Sequence, residues 1–188
     1  MKEKVLDTRG MVLCALFTAL IAVGAFIKIP IPGVPFSLQF LFTNMAGLLL
    51  GRRRGLISVG LYIFLGLVGL PIFTGGGGIG YVLYPTFGYL VGMAVGTYLC
   101  GLISERGEKC FKTFLVAGLV NLLVVYALGM LHYYLIARFY VGNPVGLKTL
   151  LVSCFLIFVP GDSLSSMVGA LLAKRLRPIA MGRAAAKA

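Results

Sequence analysis

Six apolar runs, separated by short polar or glycine- and proline-rich segments, constrain this chain more than any other feature of its sequence. A membrane-spanning helix needs about 20 predominantly apolar residues. Only 12% of the 188 residues are charged and the mean hydropathy is +1.02, whereas soluble domains have about 25% charged residues. The sequence therefore predicts one all-α integral membrane domain over residues 1–188, with about six transmembrane helices. The predicted spans are about 11–27, 38–50, 56–70, 79–103, 113–137 and 149–173.

The basic residues predict the orientation of these helices. If six spans are threaded with the amino terminus in the cytoplasm, fourteen of the seventeen Lys and Arg residues fall in cytoplasmic segments, and Lys28, Arg138 and Lys148 fall outside. Such cytoplasmic enrichment is the usual topology signal of membrane proteins. We expect a multi-pass protein of the cell membrane with both termini in the cytoplasm and its first residues retained rather than cleaved. The +12 charge thus indicates topology and not nucleic-acid binding.

Two unusual loops lie outside in this threading. Residues 29–35 read IPIPGVP, and their prolines keep the backbone stiff. Residues 75–80 read GGGGIG, and glycine has almost no steric restriction. A stiff loop beside a permissive loop suggests a rim and a lid over a binding site, with Gly78 as a candidate contact. Two ordinary turns are the alternative.

Asp162 is the only acidic residue within an apolar run. An ionisable group at membrane depth is costly and normally faces a cavity or a partner. We expect Pro160–Gly161 to break the last helix and leave Asp162 at the start of a second half, and broken helices at this depth usually line cavities. Asp162 is therefore predicted to bind a ligand. Capping of the half-helix is the alternative, and the two roles are compatible.

Other polar groups within the apolar runs need hydrogen-bond partners, because hydrocarbon offers none. Gln39, Asn121 and Tyr89 are candidate ligand contacts, and structural bonds between helices are the alternative. Small residues recur every fourth position at Gly88, Gly92 and Gly96 and at Ser165, Gly169 and Ala173, a spacing that lets helices pack closely. A further small surface on the first helix, formed by Ala15, Ala19 and Ala22, either docks another membrane subunit or packs internally.

The sequence contains no catalytic set. It has no Ser/His/Asp arrangement, no paired carboxylates, no phosphate loop and no metal-ligand spacing, so we expect neither an enzyme nor a bound metal or covalent cofactor. The lone His132 is interpreted as a satisfied or interfacial imidazole. The four cysteines are interpreted as buried thiols. Without a phosphate loop, active transport would need a partner ATPase or an ion gradient.

Four segments carry a family resemblance: ALFTALIAVGAFIKIPIPGVPFSLQ at 15–39, AGLLLGRRRG at 46–55, GLPIFTGGGGIGYVLYPTFGYLVG at 69–92 and PGD at 160–162. They resemble the BioY family, the substrate-capture subunits (S components) of energy-coupling factor (ECF) transporters that take up biotin. The resemblance implies a six-helix bundle, a vitamin pocket open to the outside, and a complex with a scaffold membrane subunit and two cytoplasmic ATPase subunits, which alone use ATP. It also assigns Ala15 and Ala19 to the family's scaffold-docking alanine motif.

One position departs from the family pattern. Members commonly carry a lysine three residues after the aspartate, where this chain has Ser165, and Ser165 is retained as a candidate ligand contact. Lys28, Arg138 or loop amides could replace that lysine as partner of a biotin carboxylate, or the ligand could be lipoate or dethiobiotin. The competing hypotheses are a solitary gradient-driven transporter and a structural membrane protein without a small ligand.

Overall fold

The computed structural model describes residues 7–29, 36–142 and 146–180. These residues are helical apart from one short antiparallel β-pair, which agrees with the predicted all-α class. The main helices are α1 (Thr8–Phe26), α2 (Gln39–Val68), α3 (Phe87–Arg106), α4 (Phe111–Phe139), α5 (Leu147–Leu151) and α6 (Val159–Ala180). Two shorter turns are a 3-10 helix at Ile79–Leu83 and a π-helix at Val152–Leu156. Strands β1 (Lys28–Ile29) and β2 (Phe36–Ser37) pair with Lys28 opposite Ser37.

Four helical segments among the described residues are long and apolar enough to cross a membrane. They are Thr8–Phe26, Phe87–Arg106, Phe111–Phe139 and Thr149–Arg177. The predicted run at 79–103 is wrong at its start, because α3 begins only at Phe87 and a separate 3-10 turn precedes it. Pro85 explains the interruption, since a residue before proline disfavours the helical region. Tyr84 is accordingly extended, with φ −76° and ψ 136°.

Gly51 reverses the chain within α2. Its φ of 82° and ψ of −179° are not helical, and glycine adopts such angles readily. A Cβ atom placed on Gly55 would lie 3.1 Å from the carbonyl oxygen of Ala46, whereas a continuous helix would separate these positions by about 13.5 Å. The parts of α2 before and after Gly51 therefore pack together as a hairpin, and they correspond to the predicted runs 38–50 and 56–70.

Ion pairs hold three chain segments together at one end of the bundle, called here the Gly51 end. Arg54 pairs with Asp7, which caps the start of α1, at 2.9 Å. Arg52 pairs with Glu105, in the last turn of α3, at 3.2 Å. The start of α1, the turn of α2 and the end of α3 therefore share this end of the molecule.

The last helix is interrupted earlier than the sequence predicted. The α-helix gives way to the π-helix at Val152–Leu156 and to a turn over the two residues that follow. Pro160 lies in the first turn of α6, where its missing N–H leaves no helical bond unmade. The predicted break at Pro160–Gly161 is thus displaced upstream. At its other end, α6 is secured by the buried Arg177, which donates to the Ser104 carbonyl at 2.8 Å.

Glycines of α3 permit its close packing against α4, as the four-residue spacing predicted. A Cβ on Gly92 would lie 2.8 Å from Val125 Cα, and one on Gly88 would overlap His132 Cβ. Added side chains would therefore force the two helices apart. This approach places the inner faces of α3 and α4 along one cavity wall.

Helix α1 packs on the second part of α2 and leaves one face uncovered. The Thr18 hydroxyl donates to the carbonyls of Cys14, at 2.9 Å, and of Ser58, at 3.0 Å. Ala15 and Ala19 are exposed, whereas Ala22 is half-buried against the core. The predicted small surface is therefore divided, with Ala15 and Ala19 accessible and Ala22 in the packing.

Candidate ligand-binding site

A cavity with an open mouth lies at the end of the bundle opposite the Gly51 end. Small-molecule sites usually combine an apolar lining with a few placed polar groups. This cavity has that character, with aromatic and aliphatic walls and a small polar set. The lining residues are Ser37, Gln39, Phe40, Thr74, Tyr81, Thr86, Tyr89, Leu90, Met93, Val125, Tyr126, Phe158 and Asp162.

Asp162 is the one charged residue among the described residues that line the cavity. It lies in the first turn of α6 and is half-buried. Its Oδ2 atom accepts a hydrogen bond of 2.5 Å from the Tyr126 hydroxyl of α4. The structure gives its side chain no bond to the backbone of α6 within the described residues, so capping of the helix does not account for the carboxylate.

Aromatic contacts fix the direction of the Tyr126 hydroxyl. The Tyr126 ring meets Phe155 edge-on at a centroid distance of 5.1 Å and Tyr89 edge-on at 6.4 Å. Tyr89 is itself held by a hydrogen bond of 3.4 Å to the Cys154 carbonyl. Since Tyr126 occupies one oxygen of Asp162, the carboxylate keeps further lone pairs for the N–H groups of a ligand.

Gln39 supplies the complementary polarity. Its side chain is only 2% exposed and lines the cavity, and its Nε2 makes no hydrogen bond within the part of the chain that the structure describes. Its side chain also interacts with the Tyr62 hydroxyl. A buried donor without an acceptor costs about 1–3 kcal/mol, so a ligand that offers an acceptor here would relieve that cost.

Comparison with known proteins places this chain in a family. The model of the BioY family matches residues 1–181. The chain belongs to the BioY family. The resemblance predicted from the sequence is thereby confirmed, and α1 to α6 can be compared with a solved member of the same class.

Curated relatives align over nearly the full length of this family member. The chain is 43% identical to a probable biotin transporter BioY of Lysinibacillus sphaericus, over 90% of the chain and 87% of the relative. It is 36% identical to the biotin transporter BioY of Thermotoga maritima, over 93% and 99%. The crystal structure of an S-component for biotin from an ECF-type ABC transporter superposes with a TM-score of 0.77 at 32% identity, over 89% and 90%. The relatives are named transporters, and the chain is not an enzyme.

The cavity brings together only some of the residues predicted for it. Asp162, Gln39 and Tyr89 line it, whereas Asn121, Ser165 and Gly78 do not. Asn121 is fully buried and donates to Asn44 at 3.5 Å, which is the structural alternative of a bond between helices. Since Asn121 and Ser165 lie within the helix packing, we do not retain them as ligand contacts.

The glycine-rich loop is anchored more firmly than its composition suggested. Gly78, with φ of 100°, donates its N–H to the Gly66 carbonyl at 2.7 Å. Phe73 is 2% exposed and packs on Tyr81 at a centroid distance of 4.6 Å. Gly78 therefore anchors the glycine-rich loop to α2 and does not itself line the cavity. The predicted rim at 29–35 lies, apart from Ile29, outside the described residues.

Sequence reasoning missed most of the wall. Tyr81 bridges the Thr74 and Thr86 hydroxyls at 3.2 and 3.1 Å, and all three line the cavity. Hydroxyl-bearing residues close to the glycine-rich loop were an available signal for this polar edge. The aliphatic residues of the cavity wall, such as Leu90 and Met93, are of the same types as residues that face lipid. The sequence therefore contains no signal that distinguishes the two groups.

The remaining titratable candidates do not form a second site among the described residues. No group of His, Cys, Asp and Glu there could hold a metal ion. Cys14, Cys100 and Cys154 are buried as predicted, while Cys110 is half-exposed. The buried Nε2 of His132 makes no hydrogen bond in the described structure and its ring packs near Phe87, so the imidazole is not a satisfied one, and an interfacial position stays a prediction.

Proposed function

We propose that this chain captures biotin from outside the cell for uptake driven by a partner ATPase module. The observation that carries the proposal is that one cavity is lined by both the Asp162 carboxylate and the buried amide of Gln39. A ureido ring offers two N–H donors and one carbonyl acceptor. Asp162 would accept from the N–H groups, and Gln39 would donate to the carbonyl. The biotin named for the relatives and for the solved S-component supports the same assignment.

Identification of the bound molecule tests this function directly. The purified protein should release biotin, detected by mass spectrometry, and calorimetric titration should show tight biotin binding. Dethiobiotin retains the ureido ring and should compete, whereas lipoate lacks it and should compete poorly. Release of lipoate instead, or equal affinity for lipoate, would contradict the role given to Asp162 and Gln39.

Uptake assays separate the proposed mechanism from a solitary, gradient-driven transporter. The solved neighbour is the S-component of an ECF-type ABC transporter, which supports a scaffold membrane subunit and two cytoplasmic ATPase subunits as partners. The sequence itself lacks a phosphate loop for ATP. Uptake should therefore require co-expression of the ATPase module. Full uptake without it would favour the gradient-driven alternative.

The proposed topology has six passes with both termini in the cytoplasm. The passes are α1, the two parts of α2, α3, α4, and α5 with α6 as one interrupted span. The support is the concentration of basic residues at the Gly51 end, which includes Arg52, Arg53 and Arg54. Positive residues favour the cytoplasmic side, so the cavity at the opposite end would open outward.

Cysteine labelling should confirm this orientation. Cys110 lies between α3 and α4 on the proposed cytoplasmic side, and its hydrogen bond with Thr113 lowers the pKa of the thiol, which favours the reactive thiolate. Gly80→Cys adds an exposed outer thiol at a position with open space and no positive φ. An impermeant maleimide should label position 80 in intact cells and Cys110 only after permeabilisation. The reverse pattern would invert the topology.

Tyr126→Phe should weaken biotin binding about two- to tenfold. The substitution keeps the ring that packs on Phe155 but removes the hydroxyl that orients Asp162, and one hydrogen bond contributes about 0.5–1.5 kcal/mol. Tyr134→Phe is the matched control, because that hydroxyl accepts from Arg138 and does not line the cavity. Calorimetric titration of both variants measures the difference. Equal affinities would show that Tyr126 does not position the carboxylate.

A further inference from the structure

Lys28 connects two loops at the mouth of the cavity. In the β-pair, Lys28 lies opposite Ser37, and the Lys28 ammonium donates a hydrogen bond to the Thr74 carbonyl. Ser37 and Thr74 both line the cavity. Lys28 therefore meets the cavity wall at two places that are far apart in sequence, with its backbone beside Ser37 and its ammonium beside Thr74, while its side chain remains exposed.

The charges around the cavity are arranged asymmetrically. Asp162 is the one charged residue in the described lining, and it lies in the first turn of α6. Lys28 is at the mouth. Arg138 is committed elsewhere, because its guanidinium donates to the Tyr134 hydroxyl at 2.6 Å and lies 5.7 Å from the centroid of the Phe139 ring. Among the described cations, Lys28 is thus the one placed to meet an anion that projects from the cavity.

We infer that the Lys28 ammonium binds the carboxylate of the captured ligand at the cavity mouth. An ammonium has three donors, of which the Thr74 carbonyl uses one, so a carboxylate can be bound without breaking the contact between the loops. The site then recognises an elongated molecule with a neutral hydrogen-bonding ring at its inner end and an acid at its outer end. This inference rests on the proposed capture of biotin and adds selection for the anionic form.

Comparison of biotin with its neutral carboxamide isolates the contribution of Lys28. Lys28→Met keeps the aliphatic stem and removes the charge, and an exposed ion pair of this kind changes affinity by about two- to fivefold. The variant should bind biotin two- to fivefold more weakly, bind biotin carboxamide with unchanged affinity, and lose the salt dependence of biotin binding. Lys28→Arg should retain the preference for biotin. Arg138→Met, which removes an outer cation away from the cavity, should change neither ligand.

The outcomes separate this inference from the function on which it rests. If the unchanged protein binds neither biotin nor its carboxamide, both proposals are wrong. If it binds both, but Lys28→Met weakens them equally, Lys28 only holds the two loops together and its role toward the carboxylate is overturned. Unchanged biotin affinity in Lys28→Met would overturn that role while leaving biotin capture intact.

Discussion

Asp162→Asn should weaken biotin binding about five- to 150-fold. The asparagine oxygen can still accept from the Tyr126 hydroxyl, which bonds one carboxylate oxygen at 2.5 Å in the structure. The new amide nitrogen then faces the ureido N–H groups as a donor where the parent offers an acceptor. A ligand donor left unpaired in a poorly hydrated cavity costs about 1–3 kcal/mol, and each 1.4 kcal/mol is a tenfold change in affinity.

Asp7→Asn provides the matched control for this experiment. Asp7 is paired with Arg54 at the Gly51 end, away from the cavity, and asparagine is also a good cap for α1. Calorimetric titration should show a large loss of affinity for the first variant and none for the second. If folded Asp162→Asn binds biotin as tightly as the parent, Asp162 serves only as a structural partner of Tyr126.

Asp162 could be identified as a candidate from sequence because it is a carboxylate within an apolar run. A single carboxylate within an apolar run needs a cavity or a partner wherever the helices lie, and the structure gives it both. The turn of α2 was predictable for a similar reason, since Arg52–Arg54 between Gly51 and Gly55 interrupt two apolar runs. For Asp162 and for the turn of α2, the local sequence was therefore enough to predict the structural feature.

The distinction between Gln39 and Asn121 required the fold. Both are amides within apolar runs and both are almost fully buried. Gln39 begins α2 and reaches the cavity, whereas Asn121 meets Asn44 between α2 and α4. Only the packing of the helices decides which amide has a neighbour to bond, and residue type carries no information on that choice.

The contacts of the charged residue Arg177 likewise could not be predicted from residue type. Its position near the end of the last run predicted a cytoplasmic segment, but the side chain is 5% exposed, donates to Ser104 and lies 5.4 Å from the centroid of the Phe114 ring. The long aliphatic part of an arginine can lie in apolar packing while its guanidinium finds polar partners. The position of Arg177 at the end of the last apolar run was predictable from sequence, but its contacts were not.

The exposed face of α1 provides a test of assembly that leaves the cavity untouched. Ala15 and Ala19 are exposed and lie one helical turn apart. Small residues allow two membrane helices to approach closely, and a large side chain prevents it. We propose that this face docks on the scaffold membrane subunit. Ala22 is excluded from the face because it packs against the core.

Ala15→Trp or Ala19→Trp should abolish co-purification with the scaffold subunit and reduce ATP-driven biotin uptake to background. Biotin binding by the isolated subunit should stay within about twofold of the parent, because surface substitutions usually change stability by less than about 0.5 kcal/mol. Leu123→Trp on α4, where the parent side chain is 59% exposed, controls for a bulky residue on another outer face and should preserve uptake.

Ala22→Trp should instead impair folding and binding together, since overpacking a core costs about 1–3 kcal/mol. Joint loss of assembly and binding at Ala15 and Ala19 would mean that these alanines pack internally, and intact uptake in both variants would place the scaffold on another face.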